Sequence, residues 1–98
     1  MTPEAERILQ KAAGHLERGQ VMLGVSLHDD AGRAAYLATF HAAQAVIFER
    51  TGKVVKTHRG VQNEFLRLTK DDQRFTPDQR IFLSQAYNPE FPFLTTYS

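Results

Sequence analysis

A stretch near the middle of the chain limits the possible folds more than any other feature. Residues 31–48 (AGRAAYLATFHAAQAVIF) carry alanine or a larger apolar side chain at most positions and contain no proline. This composition favours a helix, and apolar residues on nearly every face are typical of a helix that its neighbours surround. The pattern predicts a central helix that begins near Asp29 or Asp30 and ends at Thr51, with Gly52 in the left-handed position after it.

A first helix is predicted to begin after Thr2, a good N-cap, with Pro3 at the first helical position. Its apolar residues recur at spacings of three and four, which indicates one apolar stripe: Ile8, Leu9, Ala12, Leu16 and Leu23. Gly19 and Gly24 should weaken its C-terminal end, because glycine is a poor helix former.

Two shorter helices are predicted after the central one. Thr57 can cap a third helix, on which one face is apolar: Val61, Phe65 and Leu68. Thr76-Pro77-Asp78-Gln79 has the pattern of a capping box and starts a fourth helix, which Pro89 should stop at or before Asn88. The short pair Val54-Val55 has no partner run and is not predicted to form a strand. The simplest arrangement is an all-α, up-and-down four-helix bundle with short connections.

The end of the chain changes character abruptly at Pro89. Residues 1–88 are predicted to form the bundle and residues 89–98 an irregular tail rich in proline and phenylalanine. This change suggests a last helix that a frameshift or truncation has shortened. Such a helix would leave apolar surface on the first two helices without cover. The large side chains of the tail would then either cover this surface or dock on a second subunit, and a dimer or larger assembly is predicted. They are Phe91, Phe93, Leu94 and Tyr97.

Composition excludes several classes of protein. The 98 residues suffice for one domain, and a formal net charge of +1 is not that of a polycation built for nucleic acid. There is no cysteine, so disulfides and thiolate metal sites are excluded, and a cytoplasmic location fits. The acidic start does not resemble a signal peptide, and no apolar run approaches the roughly 20 residues that span a bilayer. The four histidines have no metal-binding spacing, so neither a metal nor a cofactor is predicted.

Charge is concentrated in one segment. Residues 50–70 contain six bases and one acid, for a local charge of +5. The simplest interpretation is a solvated loop and helix face. The alternative is a surface for an anionic partner such as RNA, a nucleotide phosphate or an acidic protein.

Two clusters are candidates for chemistry. One face of the central helix is polar and aromatic, with Arg33, Leu37, His41 and Gln44 in line and Tyr36 and Phe40 beside them. The simpler interpretation is that His41 forms a hydrogen bond inside the bundle or lies near a helix–helix seam. The alternative is a polar site where a substrate or a second subunit meets this helix. Arg33 has Asp29 four residues before it, so an ion pair within the helix is sufficient reason for its presence.

The second cluster lies at the start of the third helix. It combines a cap hydroxyl, free N–H groups and basic or titratable side chains: Lys56, Thr57, His58, Arg59 and Gly60. Such a helix start can bind an anion. A helix cap with solvated flanks explains the same residues without a ligand.

These two stretches resemble one family. Residues 33–45 (RAAYLATFHAAQA) are similar to the second helix of HEPN-domain proteins, in a small branch in which Phe-His-Ala-Ala recurs. Residues 56–61 (KTHRGV), followed by Phe65, are similar to the stretch that opens the next helix, and residues 83–88 are similar to the start of the last helix. The resemblance covers roughly residues 5–88.

The resemblance implies a helical bundle that dimerises and is often encoded beside a small nucleotidyltransferase as a toxin–antitoxin pair. Many members are metal-independent ribonucleases whose site is an arginine, four to six residues, then a histidine near the last helix. Here neither Arg74 nor Arg80 precedes such a histidine. Three other Arg–His pairs have seven residues between them, one too many: Arg7 and His15, Arg33 and His41, and Arg50 and His58.

Three functions follow from these observations. The first is a non-catalytic HEPN-like interaction module, a homodimer that binds a nucleotidyltransferase. The second is a metal-independent ribonuclease toxin in which His41 acts as general acid or base and Arg33 stabilises phosphate charge. The third is a folded remnant without a specific function. RNA or a nucleotide would be bound by candidates from both clusters: Tyr36, Lys56, Thr57, His58 and Arg59.

Overall fold

A computed structural model of the chain describes residues 1–86, with side chains to residue 81, and these residues form four helices. They are α1 (Pro3–Gly24), α2 (His28–Thr51), α3 (His58–Leu68) and α4 (Pro77–Ala86). No strand occurs in this part of the chain, so the prediction of an all-α four-helix fold is confirmed. The predicted stop at Pro89 and the tail from residue 89 lie outside the described residues.

The helix α2 is central, as its composition predicts. The helix α1 packs along it, α3 packs against it, and α4 contacts both α2 and α3. The main buried cluster joins α2 to α3 and consists of Tyr36, Phe40, Ala43, Ile47, Val61 and Phe65. Phe75 and Leu68 pack against this cluster from its edge.

The predicted caps are confirmed at three helix starts and one helix end. The hydroxyl of Thr2 accepts a hydrogen bond from the Ala5 amide, at 3.1 Å. The Thr76 amide donates to the side-chain oxygen of Gln79, at 3.0 Å, and the Gln79 amide donates back to the Thr76 hydroxyl, at 3.2 Å. Gly52 ends α2 with a left-handed φ of 73°. These contacts satisfy backbone groups that helix ends leave unpaired.

The helix α2 starts slightly earlier than predicted, at His28. Leu27 occupies the N-cap position and forms no side-chain cap. Asp29 and Asp30 therefore lie inside the first turn, where the helix dipole favours their negative charge.

The apolar stripe predicted on α1 is buried only in part. The residues that α1 buries are Ala5, Ala12 and Gly19, seven residues apart, whereas Leu9, Leu16 and Leu23 are 39%, 52% and 57% exposed. The cause is the alanine-rich surface of α2, which lets the two backbones approach until only small side chains fit between them. A Cβ atom on Gly19 would lie 3.1 Å from the Cβ of Ala34. Gly19 thus permits close packing, and α1 continues past it.

Within residues 1–86, none of the helices combines the length and the hydropathy that crossing a membrane requires. In the same residues, no three histidine or carboxylate side chains lie close enough together to hold a metal ion.

Candidate functional site

A polar seam lies between α1 and α2, and we call it the histidine seam: Lys11, His15, Arg18, His41 and Gln44. His15 of α1 stacks on His41 of α2, with ring centroids 5.2 Å apart and ring planes inclined by 15°. The prediction that His41 lies at a helix–helix seam and forms a hydrogen bond there is confirmed. Its partner His15 was not among the predicted site residues.

Hydrogen bonds determine which ring nitrogen of each histidine carries the proton. The amide nitrogen of Gln44 donates to the carbonyl of Val55, at 2.8 Å, so the Gln44 oxygen faces His41 Nδ1, at 2.7 Å, and must accept. Neutral His41 therefore has its proton on Nδ1 and a lone pair on Nε2. The guanidinium of Arg18 contacts His15 Nδ1, at 3.1 Å, and can only donate. Neutral His15 consequently has its proton on Nε2.

Both histidines favour the neutral form. Burial lowers the pKa of His41, the hydrogen bond with Gln44 raises it in part, and the charge of Lys11 lowers it further. Burial also lowers the pKa of His15, followed by the charges of His41, Arg18 and Lys11. Among the described residues, no carboxylate contributes to either shift. The seam at neutral pH therefore presents one proton acceptor and one proton donor on stacked rings.

Arg33 does not lie beside His41, as the predicted ribonuclease site would require. Its guanidinium pairs with Asp30, three residues before it, instead of the predicted Asp29. Arg33 and His41 are eight residues apart on one helix, which separates their backbones by about 12 Å along the axis. The basic side chains whose charges act on His41 or His15 are instead Lys11 and Arg18 of α1.

The sequence contained a signal for His15 that the predicted stripe on α1 did not use. His15 lies three residues after the buried Ala12 and four residues before the buried Gly19. Positions with this spacing share one side of a helix. Once Ala12 and Gly19 are known to face α2, His15 must lie beside the same interface.

The cluster at the start of α3 is largely engaged in joining α3 to α2. Tyr36 is 1% exposed, and its hydroxyl lies 2.5 Å from His58 Nδ1. The ring of His58 also packs on Phe40, with centroids 4.8 Å apart. The Thr57 hydroxyl accepts from the Gly60 amide, at 2.9 Å, as its predicted role as an N-cap requires. Of the five predicted RNA-binding candidates, Lys56, Thr57 and Arg59 are exposed.

The structure partly neutralises the positive segment. Arg50 pairs with Asp72, at 2.7 Å, and Arg67 pairs with Glu64, at 2.6 Å. Hydrogen bonds from Arg74 and then Arg50 hold the pKa of Asp72 far below its usual range. The basic side chains of the segment for which no ion pair is found in the described residues are also exposed: Lys53, Lys56, Arg59 and Lys70.

An open apolar groove runs along the side of α1 opposite the histidine seam. Leu9 lines this groove and is the first member of an exposed row on α1 that we call the leucine row: Leu9, Leu16 and Leu23. Small side chains of α2 form the floor, and Phe75 forms part of the other wall; the residues lining the groove include Leu9, Ala42, Ala45, Val46 and Phe75. The leucine row has no covering element within residues 1–86.

Comparison with known proteins identifies one family. A family model described as the HEPN domain matches residues 5–90. No curated protein and no solved structure shows significant similarity to the chain.

Proposed function

Because the chain belongs to the HEPN family, we propose that it is a cytoplasmic, homodimeric interaction module of the kind that binds a nucleotidyltransferase in toxin–antitoxin systems. The observation that carries the proposal is the leucine row. Dimerisation is common among HEPN domains, which agrees with a surface made for a second copy. The absence of the usual Arg…His ribonuclease motif from the sequence favours binding over catalysis.

The leucine row suits a second copy of the same chain. Its members repeat every seven residues on α1, so from Leu9 to Leu23 the apolar strip extends along about 21 Å. The exposed positions next to it on the outward side include the uncharged Ala13 and Gln20, and the acidic Glu6 and Glu17 lie one step further round the helix. Two identical strips can meet across a twofold axis, because such an interface uses the same surface of both copies.

Replacing Leu16 with glutamate is expected to convert the dimer to a monomer. Leu16 is 52% exposed in the single chain, so the substitution leaves the fold intact. A twofold interface buries the side chain twice, so its loss costs about 3 kcal/mol or more, a factor of at least about a hundred in the dissociation constant. Light scattering coupled to gel filtration would measure the mass at micromolar concentration.

Val54→Glu is the matched control, since Val54 is 45% exposed and lies in the loop after α2. This variant should remain a dimer, and both variants should keep the helical circular dichroism spectrum of the parent. A parent protein that is monomeric at micromolar concentration would contradict the proposal, as would a Leu16→Glu variant that remains dimeric.

The second candidate function is that of a metal-independent ribonuclease, and the lone pair on His41 Nε2 favours it. A histidine held neutral beside cationic side chains can accept the proton of a ribose hydroxyl. The predicted pairing with Arg33 loses support, because Arg33 pairs with Asp30. Lys11 and Arg18 are the cations that would stabilise phosphate charge beside His41.

We expect no specific cleavage when the protein is incubated with end-labelled RNA in EDTA, whether as the parent chain or as the His41→Ala variant. EDTA removes the contribution of metal-dependent contaminants. Cleavage by the parent that disappears in His41→Ala, with both proteins melting at the same temperature, would replace the interaction module with the ribonuclease.

A further inference from the structure

Two basic side chains lie at the histidine seam, and no carboxylate of the described residues pairs with them. Lys11 and Arg18 lie four residues before and three residues after His15, so the three side chains share one face of α1. Neither Lys11 nor Arg18 forms an ion pair in the described part of the chain, where other arginines such as Arg7 and Arg67 pair with glutamates on their own helices. On α2, the ring of His41 stacks on His15, and the neutral Gln44 forms a hydrogen bond with His41.

We propose that the histidine seam binds a tetrahedral oxyanion of the phosphate type and takes up a proton with it. The inference does not depend on the proposed dimer, because the seam and the leucine row flank α1 on opposite sides of the helix pair. It adds a ligand site to a chain whose proposed function requires only protein contacts.

The hydrogen-bond pattern determines how such an anion would be held. His15 already presents Nε2–H as a donor, because Arg18 occupies its Nδ1. His41 presents a lone pair on Nε2, which would repel an anion, until a proton converts that nitrogen to a second donor. Two imidazole donors with the ammonium of Lys11 and the guanidinium of Arg18 then match the acceptor oxygens of a dianion.

Proton uptake follows from the balance of charges. A proton on His41 is unfavourable without a ligand, since burial and Lys11 both lower the pKa of this histidine. An oxyanion at the seam adds negative charge beside the ring and raises that pKa. By linkage, the anion must bind more tightly as the pH falls through the pKa of the histidines. Above these pKa values, uptake of one proton per anion weakens binding by about tenfold for each pH unit.

Sulfate is the suitable first probe, because it stays a dianion between pH 5 and 8, whereas phosphate itself titrates there. Calorimetric titration of the full chain with sodium sulfate at pH 6 and pH 8, at constant ionic strength in chloride, should show binding that weakens by at least about tenfold at the higher pH. His15→Gln and His41→Gln should each weaken binding at pH 6 by about tenfold or more.

His28→Gln is the matched control, since His28 is exposed at the start of α2 and should leave the affinity unchanged. Lys11→Met tests the charge without altering the stacked rings and should also weaken binding. A nuclear magnetic resonance titration of the ring nitrogens gives a readout that does not depend on substitution. Sulfate should raise the pKa of His15 and His41 in the parent protein.

The source of the oxyanion is resolved by comparing inorganic phosphate with a nucleoside monophosphate. Tighter binding of the nucleotide would indicate a nucleotide phosphate, and equal binding a free anion. Absence of sulfate binding at pH 6, or equal affinity in the His15→Gln and parent proteins, would overturn the proposal. A Leu16→Glu monomer that still binds sulfate would show that the site is independent of the dimer.

Discussion

Replacing Tyr36 with alanine is expected to lower the free energy of unfolding by about 3–5 kcal/mol. The ring is 1% exposed in the centre of the cluster that joins α2 to α3, and it stacks on Phe40 and His58. Alanine would leave a cavity there and remove the hydroxyl contact with His58 Nδ1. A domain of this size has a total stability of the order of 5–15 kcal/mol, so the loss is a large fraction of it. Urea denaturation followed by circular dichroism would measure the change.

Tyr36→Phe is the matched control because it keeps the ring and removes only the hydroxyl. We expect a loss of about 1–3 kcal/mol, since His58 would lose a buried hydrogen-bond partner. If Tyr36 instead binds RNA or a nucleotide, as predicted from the sequence, Tyr36→Ala should lower the affinity for RNA and leave the free energy of unfolding unchanged. If Tyr36→Ala unfolded at the same urea concentration as the parent chain while losing affinity for RNA, Tyr36 would be a binding residue and its packing would be unimportant.

The predictions that the structure confirms rest on local signals. The composition of residues 31–48 decides that α2 is helical, and the caps at Thr2, Thr57 and Thr76 involve partners three residues away. A contact between near neighbours in sequence needs only the local backbone conformation. Side-chain hydroxyls at such positions act within one turn, and for this reason the helix starts are predictable without knowledge of the fold.

The features that the sequence did not reveal depend on contacts between distant residues. Periodicity placed Leu9, Leu16 and Leu23 on one stripe of α1. It could not show that the facing surface of α2 is rich in alanine, and for that reason Ala12 and Gly19 are buried instead of the leucines. The stacking of His15 on His41 joins residues 26 positions apart. Arg33 had carboxylates at both three and four residues before it, and spacing alone does not select between them.

Replacing Gly60 with alanine is expected to destabilise the fold by about 1–3 kcal/mol, although alanine is the better helix former. A Cβ atom at this position would lie 2.6 Å from the Thr57 hydroxyl oxygen and 2.7 Å from Cγ1 of Val55. The hydroxyl would have to move from the Gly60 amide that it caps, and loss of such a cap costs about 1 kcal/mol. Crowding against Val55 adds about 1–3 kcal/mol, which exceeds the gain of about 1 kcal/mol in helix propensity.

Gly24→Ala separates this steric effect from the general preference of helices for alanine. Nothing lies within 4 Å of a Cβ atom at Gly24, the last residue of α1, so this variant should be as stable as the parent chain or more stable by up to about 1 kcal/mol. Thermal and urea denaturation of both variants would measure the difference. The carbonyl of Val55 also accepts from Gln44, which orients His41, so a shift of Val55 in Gly60→Ala should weaken sulfate binding as well. If Gly60→Ala and Gly24→Ala were equally stable, the Thr57 hydroxyl could move away without loss of stability. The lack of a side chain at Gly60 would then not be needed for α3 to pack against α2.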